Sequence, residues 1–84
     1  MRLDKFLKVS RLVKRRTIAN ELCDAGCVSA NDRVVKASYE VKEGDILGMV
    51  MGGRTRKVQV IRVAAHALKE DAKEMYLDLD STDQ

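Results

Sequence analysis

The chain of 84 residues has few of the features that mark enzymes or metal proteins. It has no Trp and only three aromatic residues, which disfavours a stacking platform for single-stranded nucleic acid. The available Cys and His residues, Cys23, Cys27 and His66, are fewer than the four ligands of a structural zinc site. No P-loop, dinucleotide fingerprint, nucleophile elbow or metalloprotease motif is present. We therefore expect no enzymatic activity, no metal and no cofactor.

Long apolar runs are also missing. No stretch approaches the roughly 18 apolar residues of a membrane-spanning helix, so we expect no membrane partner. Residues 1–8 are charged and amphipathic and lack the apolar centre of a signal peptide. We expect a cytoplasmic protein, in which a disulfide is disfavoured. We therefore interpret Cys23 as a core residue and Cys27 as a residue beside a strand.

Positive charge is abundant and unevenly distributed. Residues 1–62 carry fourteen basic and seven acidic side chains, whereas residues 63–84 carry two basic and six acidic ones. A basic body with an acidic end predicts a polyanionic partner on one face. Composition alone does not distinguish this arrangement from an ordinary, solvated mixed surface.

Two helices are predicted at the start of the chain. Leu3, Phe6 and Leu7 follow helical spacing on one face, and this helix should end between Ser10 and Val13. The second helix should begin near residues 14–16, with Thr17 as a possible cap for a later start, and end before Gly26. Its predicted buried stripe consists of Ile18, Ala19, Leu22 and Cys23.

The hydrophobic period then changes to about two, which indicates strands. Short strands should flank a turn at Asn31-Asp32, and a hairpin should pair residues 46–51 with residues 55–63 across Gly52-Gly53. The alternation switches faces between Val60 and Ile61, which suggests either a bulge or a strand that leaves one packing environment for another. Residues 69 to about 77 have helical composition, with Ala72, Met75 and Tyr76 as candidate buried positions, and residues 78–84 should fray.

A cluster of cations lies at the start of the second helix. Lys14, Arg15 and Arg16 are consecutive, and Arg11 precedes them. Cations oppose the helix dipole at this end, so stability alone would favour Asp or Glu there. Departures from local preference often mark function. Together with the free backbone N–H groups of the helix, the cluster can bind phosphate.

These segments resemble a known family. The matching pattern consists of Arg2-Leu3-Asp4-Lys5-Phe6-Leu7, Lys14-Arg15-Arg16-Thr17-Ile18-Ala19, the segment from Gly26 to Asp32, Lys36-Ala37-Ser38 and the segment from Val41 to Asp45. In order and spacing it is similar to the S4-type RNA-binding domain, also called the alpha-L motif. The resemblance covers residues 1 to about 50.

The resemblance implies an α+β fold. Two N-terminal helices would pack on a small, bent, mostly antiparallel sheet of four to five strands, followed by a short C-terminal helix. The expected division is an RNA-binding domain with its hairpin over residues 1–66 and an acidic helix and tail over residues 67–84.

The resemblance also implies a function. The chain is most similar to small bacterial factors of ribosome-associated quality control. It would bind 23S rRNA and peptidyl-tRNA on obstructed large ribosomal subunits and support C-terminal alanine tailing with an RqcH-type protein, as a monomer. The alternatives are a heat-shock-type factor that binds free large subunits with a nascent chain, another rRNA- or tRNA-binding protein, or a protein-interaction domain.

The implied RNA-binding residues follow from the matching positions and from the basic cluster. Two positions differ from the family pattern, because Asp32 stands where Gly is usual and Cys27 where a basic or polar residue is common. The predicted RNA-binding residues are Arg2, Lys5, Lys8, Arg11, Lys14, Arg15, Arg16, Thr17, Asn31, Arg33 and Lys36.

Overall fold

The computed structural model describes residues 1–64 and 72–79. Within these residues, two helices precede a five-stranded antiparallel sheet of order β2-β1-β3-β4-β5, which confirms the predicted α+β class. The elements are α1 (Leu3–Val9), α2 (Arg16–Asp24), β1 (Val28–Ala30), β2 (Arg33–Val34), β3 (Ile46–Met51), β4 (Arg54–Val60) and β5 (Tyr76–Asp78).

The core lies between the helices and one face of the sheet. Leu3, Phe6 and Leu7 of α1 are completely buried, as their helical spacing predicts. Alternating residues of β1, β3 and β4 pack against these α1 side chains from the sheet. These strand residues are Val28, Ala30, Leu47, Met49, Val58 and Val60.

The predicted buried stripe of α2 is only partly correct. Ala19 and Cys23 are buried and Leu22 is half-buried against the core, but Ile18 is 42% exposed. A helix that packs on a single layer buries a narrow stripe. Ile18 lies about 100° around the helix from Ala19. Its side chain therefore falls outside that stripe.

The turns follow the sequence prediction closely. Gly26 has a φ of +76° just after α2, and the N–H of Cys27 bonds the carbonyl of Leu22 at 2.9 Å. This is a Schellman motif, for which glycine is the favoured residue. Asn31 and Asp32 both have positive φ and join β1 to β2, as predicted for a two-residue hairpin turn.

Strand β4 ends earlier than predicted. Regular pairing stops at Val60, and the N–H groups of Ile61 and Arg62 both bond the carbonyl of Met75, at 2.8 and 3.2 Å. Two successive donors on one acceptor shift the alternation by one residue. This explains why Arg62 is exposed and Val63 is half-buried, whereas strict alternation from Val60 would bury Arg62 and expose Val63.

The predicted C-terminal helix is wrong at Tyr76 and Leu77, and the predicted fraying is wrong at Asp78, because Tyr76–Asp78 form β5 and pair with β4. The open edge of β4 provides backbone partners for this segment, and helical composition is a weak signal over a few residues. Ala72 and Met75 are buried as predicted and Tyr76 is half-buried. Residues 69–71 of the predicted helix, His66 and most of the predicted tail lie outside the described residues.

The two cysteines lie where the sequence placed them. Cys23 is buried in the core, and Cys27 is half-buried beside β1. Both thiols are free. Burial, aided by the charges of Asp4 and Asp24, raises the pKa of Cys23 to about 11. A thiol with such a pKa stays protonated at neutral pH and is a poor nucleophile.

Candidate nucleic-acid interface

A buried carboxylate organises the basic surface. Asp4, in the first turn of α1, is 2% exposed. Its Oδ1 accepts hydrogen bonds from Nε of Arg2 at 3.2 Å and from Nη2 of Arg16 at 3.4 Å. Its Oδ2 accepts from Nη2 of Arg2 and from Nδ2 of Asn20, both at 3.4 Å. Asp4 thereby joins α1 to α2 and holds two arginines side by side.

These contacts also determine the charge of Asp4. Burial raises the pKa of the carboxyl. The hydrogen bonds from Arg2, Arg16, Asn20 and the N–H of Lys5 outweigh it, so the net shift is downward. The carboxylate therefore stays ionised at neutral pH. About half of each arginine side chain, 53% for Arg2 and 49% for Arg16, remains exposed, so both guanidinium groups can also reach an external phosphate.

The segment Lys36-Ala37-Ser38, part of the family pattern, lies next to this pair of arginines. The N–H of Asp4 bonds the carbonyl of Ala37 at 3.2 Å, and Arg2 forms an isolated antiparallel bridge with Glu40. These backbone contacts bring the segment after β2 to the start of α1. Exposed Lys36 and Ser38 therefore lie close to Arg2.

The start of α2 is uncapped and cationic. Arg15 occupies the N-cap position with extended φ and ψ and makes no side-chain cap, and the first turn contains no acid. Thr17 lies within the helix, so the suggested cap by its hydroxyl is wrong. The first N–H groups of a helix have no partners within the helix. They lie among the exposed side chains of Lys14, Arg15, Arg16 and Thr17.

The turn between the helices contains a strained residue. Arg11 has a φ of +64°, in the left-handed region that costs a residue with a Cβ roughly 1–2 kcal/mol. The N–H of Arg11 bonds the carbonyl of Lys8 at 3.1 Å, and that of Val13 bonds Leu7 at 3.0 Å. Leu12 and Val13 are buried, whereas the Arg11 side chain is exposed. Packing of its neighbours therefore fixes this conformation and presents the guanidinium outward.

Asn31 has a structural task in addition to its predicted RNA contact. Its Oδ1 accepts the N–H of Ile46 at 3.0 Å, and its Nδ2 donates to Oδ1 of Asp45 at 3.1 Å. Oδ2 of Asp45 accepts from Tyr39 Oη at 2.8 Å and from the N–H of Lys42 at 3.0 Å. Burial raises the pKa of Asp45, but these hydrogen bonds lower it further than burial raises it. The hydrogen bond to Asp45 raises the pKa of Tyr39.

The remaining predicted residues are less tightly connected to the Arg2–Arg16 pair. Lys8, in the last turn of α1, and Arg33, on the edge strand β2, are exposed, and Lys5 is half-buried. Asp32, the departure from the family pattern, lies 3.9 Å from Nζ of Lys57. Lys57 therefore partly offsets the negative charge that Asp32 adds to this turn.

Sequence reasoning missed Asp4 and Asp45 as organising residues. Asp4 was simply the single acid among seven cations in residues 1–16. An isolated acid on the apolar side of an amphipathic helix is a signal for a buried ion pair, because an unpaired buried charge is costly. Asp45 gave no comparable signal, since its partner Asn31 is fourteen residues away.

The described residues contain neither a cluster that could hold a metal ion nor a helix that could span a membrane. Among residues 1–64 and 72–79, no cluster of three or more His, Cys, Asp or Glu side chains could hold a metal ion. In the same residues, no helix is long and apolar enough to cross a membrane.

Comparison with known proteins assigns the family. The S4 domain model matches residues 1–47. Over 76 residues the chain is 51% identical to the "RQC P-site tRNA stabilizing factor" of Bacillus subtilis, covering 90% of this chain and 88% of that protein. The protein of the same name from Halalkalibacterium halodurans is 49% identical over 76 residues, covering 90% and 86%. The chain belongs to this family of S4 domain proteins.

The assignment confirms the resemblance seen in the sequence, and the family is one of RNA-binding factors rather than enzymes. A solved structure of the trimeric Heat Shock Protein 15 of Vibrio cholerae matches with a TM-score of 0.87. The match covers 96% of this chain and 83% of that one, at 23% identity. At that identity it shows the shared fold alone.

Proposed function

We propose that the protein binds 23S rRNA and P-site peptidyl-tRNA on obstructed large ribosomal subunits and supports C-terminal alanine tailing of the stalled chain. The name of its relatives, RQC P-site tRNA stabilizing factor, supports this proposal. Their similarity extends over 90% of the chain, including the hairpin beyond the matched S4 domain.

One structural observation carries the proposal. Arg2, at the N-cap of α1, and Arg16, the first residue of α2, share the buried carboxylate of Asp4 while about half of each side chain stays exposed. Fixed guanidinium groups bind phosphate bidentately and lose less entropy than mobile ones. This pair and the uncapped start of α2 therefore form a preorganised surface for an RNA backbone.

The proposed partners follow from this role. They are the 23S rRNA of the large subunit, a tRNA and an RqcH-type quality-control protein, met in the cytoplasm on the ribosome. We propose that the protein acts there as a monomer. The RNA contacts are assigned to the predicted cationic positions, with Arg2 and Arg16 at the centre.

The test compares three kinds of purified large subunit: vacant, carrying deacylated tRNA, and carrying peptidyl-tRNA in the P site. The protein is co-sedimented with each at one salt concentration. Tightest binding to the subunit with peptidyl-tRNA is the expected result. Equal binding to all three would favour a factor that recognises rRNA alone, and no binding to any would refute the proposal.

A further inference from the structure

An apolar groove opens on the other side of α2 from Asp4. It has a volume of about 360 Å³ and lies between the start of α2 and the end of β3. Its base contains the buried side chains of Leu12 and Val13, and its walls include Ile18 and Met51, which are 42% and 37% exposed. Exposed apolar walls at this position contrast with the charged residues around them.

Two cations complete the groove. Lys14 and Arg15 line it and are exposed. Within the part of the chain that the structure describes, neither forms an ion pair. The groove therefore combines apolar walls with positive charge on one side, and the next residue in sequence is Arg16 of the phosphate-binding pair.

We propose that this groove holds one unstacked RNA nucleotide. Its base would lie against Ile18 and Met51, and its phosphates would contact Lys14 and Arg15. This inference rests on the proposed function and adds a base contact to a surface otherwise argued to bind only the backbone. Proteins that read RNA commonly take up bases splayed out of single-stranded loops or bulges and stack them on aromatic side chains or on arginine guanidinium planes. Pockets for extruded bases also use apolar side chains, and this groove offers Arg15 with Ile18 and Met51 instead of an aromatic platform.

The observations favour a nucleotide over a peptide segment. The charges that line the groove are both positive, and they belong to the cationic start of α2 that the proposed backbone-binding surface includes. A volume of about 360 Å³ is in the range of small-ligand sites. An amphipathic helix instead needs a longer groove with anchors over two turns. A nucleotide matches both the size and the adjacent charge.

The experiment removes the apolar walls and keeps the charges. Ile18→Ser and Met51→Ser are titrated against purified large subunits carrying peptidyl-tRNA, over a range of salt concentrations. Val34→Ser is the matched control, because Val34 is a 68% exposed apolar residue on β2 that does not line the groove. Each groove variant should weaken binding about tenfold, with an unchanged salt slope because no phosphate contact is lost. Val34→Ser should bind like the original protein.

A photocrosslinker identifies the occupant. A benzophenone side chain at Met51 should give an adduct with rRNA or tRNA that ribonuclease degrades. Crosslinking to protein alone would make the groove a protein contact and overturn the inference. So would unchanged binding by Ile18→Ser and Met51→Ser while the original protein binds tightly. Failure of the original protein to bind any subunit would instead refute the proposed function, and this inference with it.

Discussion

At the scale of single residues, Asp4 connects folding to the proposed binding surface. A buried carboxylate is stable only when charged donors surround it, and here the donors include two of the arginines proposed to bind RNA. Asp4 is thus a residue that positions two arginines of the basic surface. Its contacts keep Arg2 and Arg16 in one place before any RNA arrives.

We predict that Asp4→Asn destabilises the fold by about 1–3 kcal/mol, because it removes a hydrogen-bonded charge from a buried site. The pKa of Asp4 is lowered from its ordinary value of 3.8, so the stability that this carboxylate contributes is present above that value and is lost as pH falls through the lower pKa of the folded protein. Thermal unfolding between neutral pH and pH 3 measures both effects. The acid-induced loss should be smaller in Asp4→Asn. An equal loss in both proteins would assign it to other groups, such as Asp45.

Arg16→Ala should weaken binding to large subunits by about 1–3 kcal/mol, the range for a charge-assisted hydrogen bond. The half-exposed side chain makes one 3.4 Å contact with Asp4, so the stability should change by less than about 1 kcal/mol. Arg16→Lys should recover only part of the affinity. Exposed Lys73, near the acidic end of the chain, provides the control Lys73→Ala. Co-sedimentation and melting temperatures are measured together, and full binding by Arg16→Ala would remove this residue from the site.

Replacing Arg11 should change folding stability and ribosome binding in opposite directions. Arg11→Gly should raise the free energy of unfolding by up to about 1 kcal/mol, since glycine adopts a φ of +64° without strain. The same change removes a cation and should weaken ribosome binding. A higher melting temperature with unchanged affinity would show that the strained arginine has no part in RNA contact.

At the scale of elements, the Asn31-Asp32 turn is tied to the start of β3. Asn31→Ala should destabilise the protein by about 1–3 kcal/mol, because it leaves the N–H of Ile46 without its partner and puts alanine at a φ of +53°. Asn31→Gly removes the backbone strain but does not restore the lost hydrogen bonds. Its stability should therefore lie between that of Asn31→Ala and that of the original protein. Chemical denaturation measures all three proteins. Equal stability of Asn31→Ala and the original would mean that the hydrogen bonds contribute little.

Local sequence signals identified the elements that depend on local physics. The spacing of Leu3, Phe6 and Leu7 gave the buried face of α1, and Gly26 gave the end of α2. Strand β5 could not be predicted from local sequence signals. Three residues carry little periodicity, and their conformation depends on the free edge of β4, which is distant in sequence.

The binding surface was predictable to a similar extent. Its cations were visible as a cluster that opposes the dipole of α2, and the family motif placed them individually. The role of Asp4 and the groove beside Ile18 depend on how α1, α2 and β3 approach one another. Ile18 shows the difference, because its spacing predicts burial and only the tertiary arrangement shows it to be exposed.

At the scale of the whole molecule, charge is segregated along the chain. Residues 1–62 carry an excess of seven positive charges, and the segment after them is acidic. A separated charge distribution of this kind orients a protein toward a polyanion and speeds the encounter. It also makes the affinity depend on salt, because each phosphate contact releases counterions.

The most direct test of the account is a salt titration of binding to large subunits that carry peptidyl-tRNA. If about five to seven phosphates are contacted, the logarithm of the association constant should fall against the logarithm of salt concentration with a slope of roughly −3.5 to −6. Arg16→Ala should reduce the magnitude of that slope by about one, and Lys73→Ala should leave it unchanged. Affinity that stays flat from low to physiological salt would contradict an interface centred on RNA.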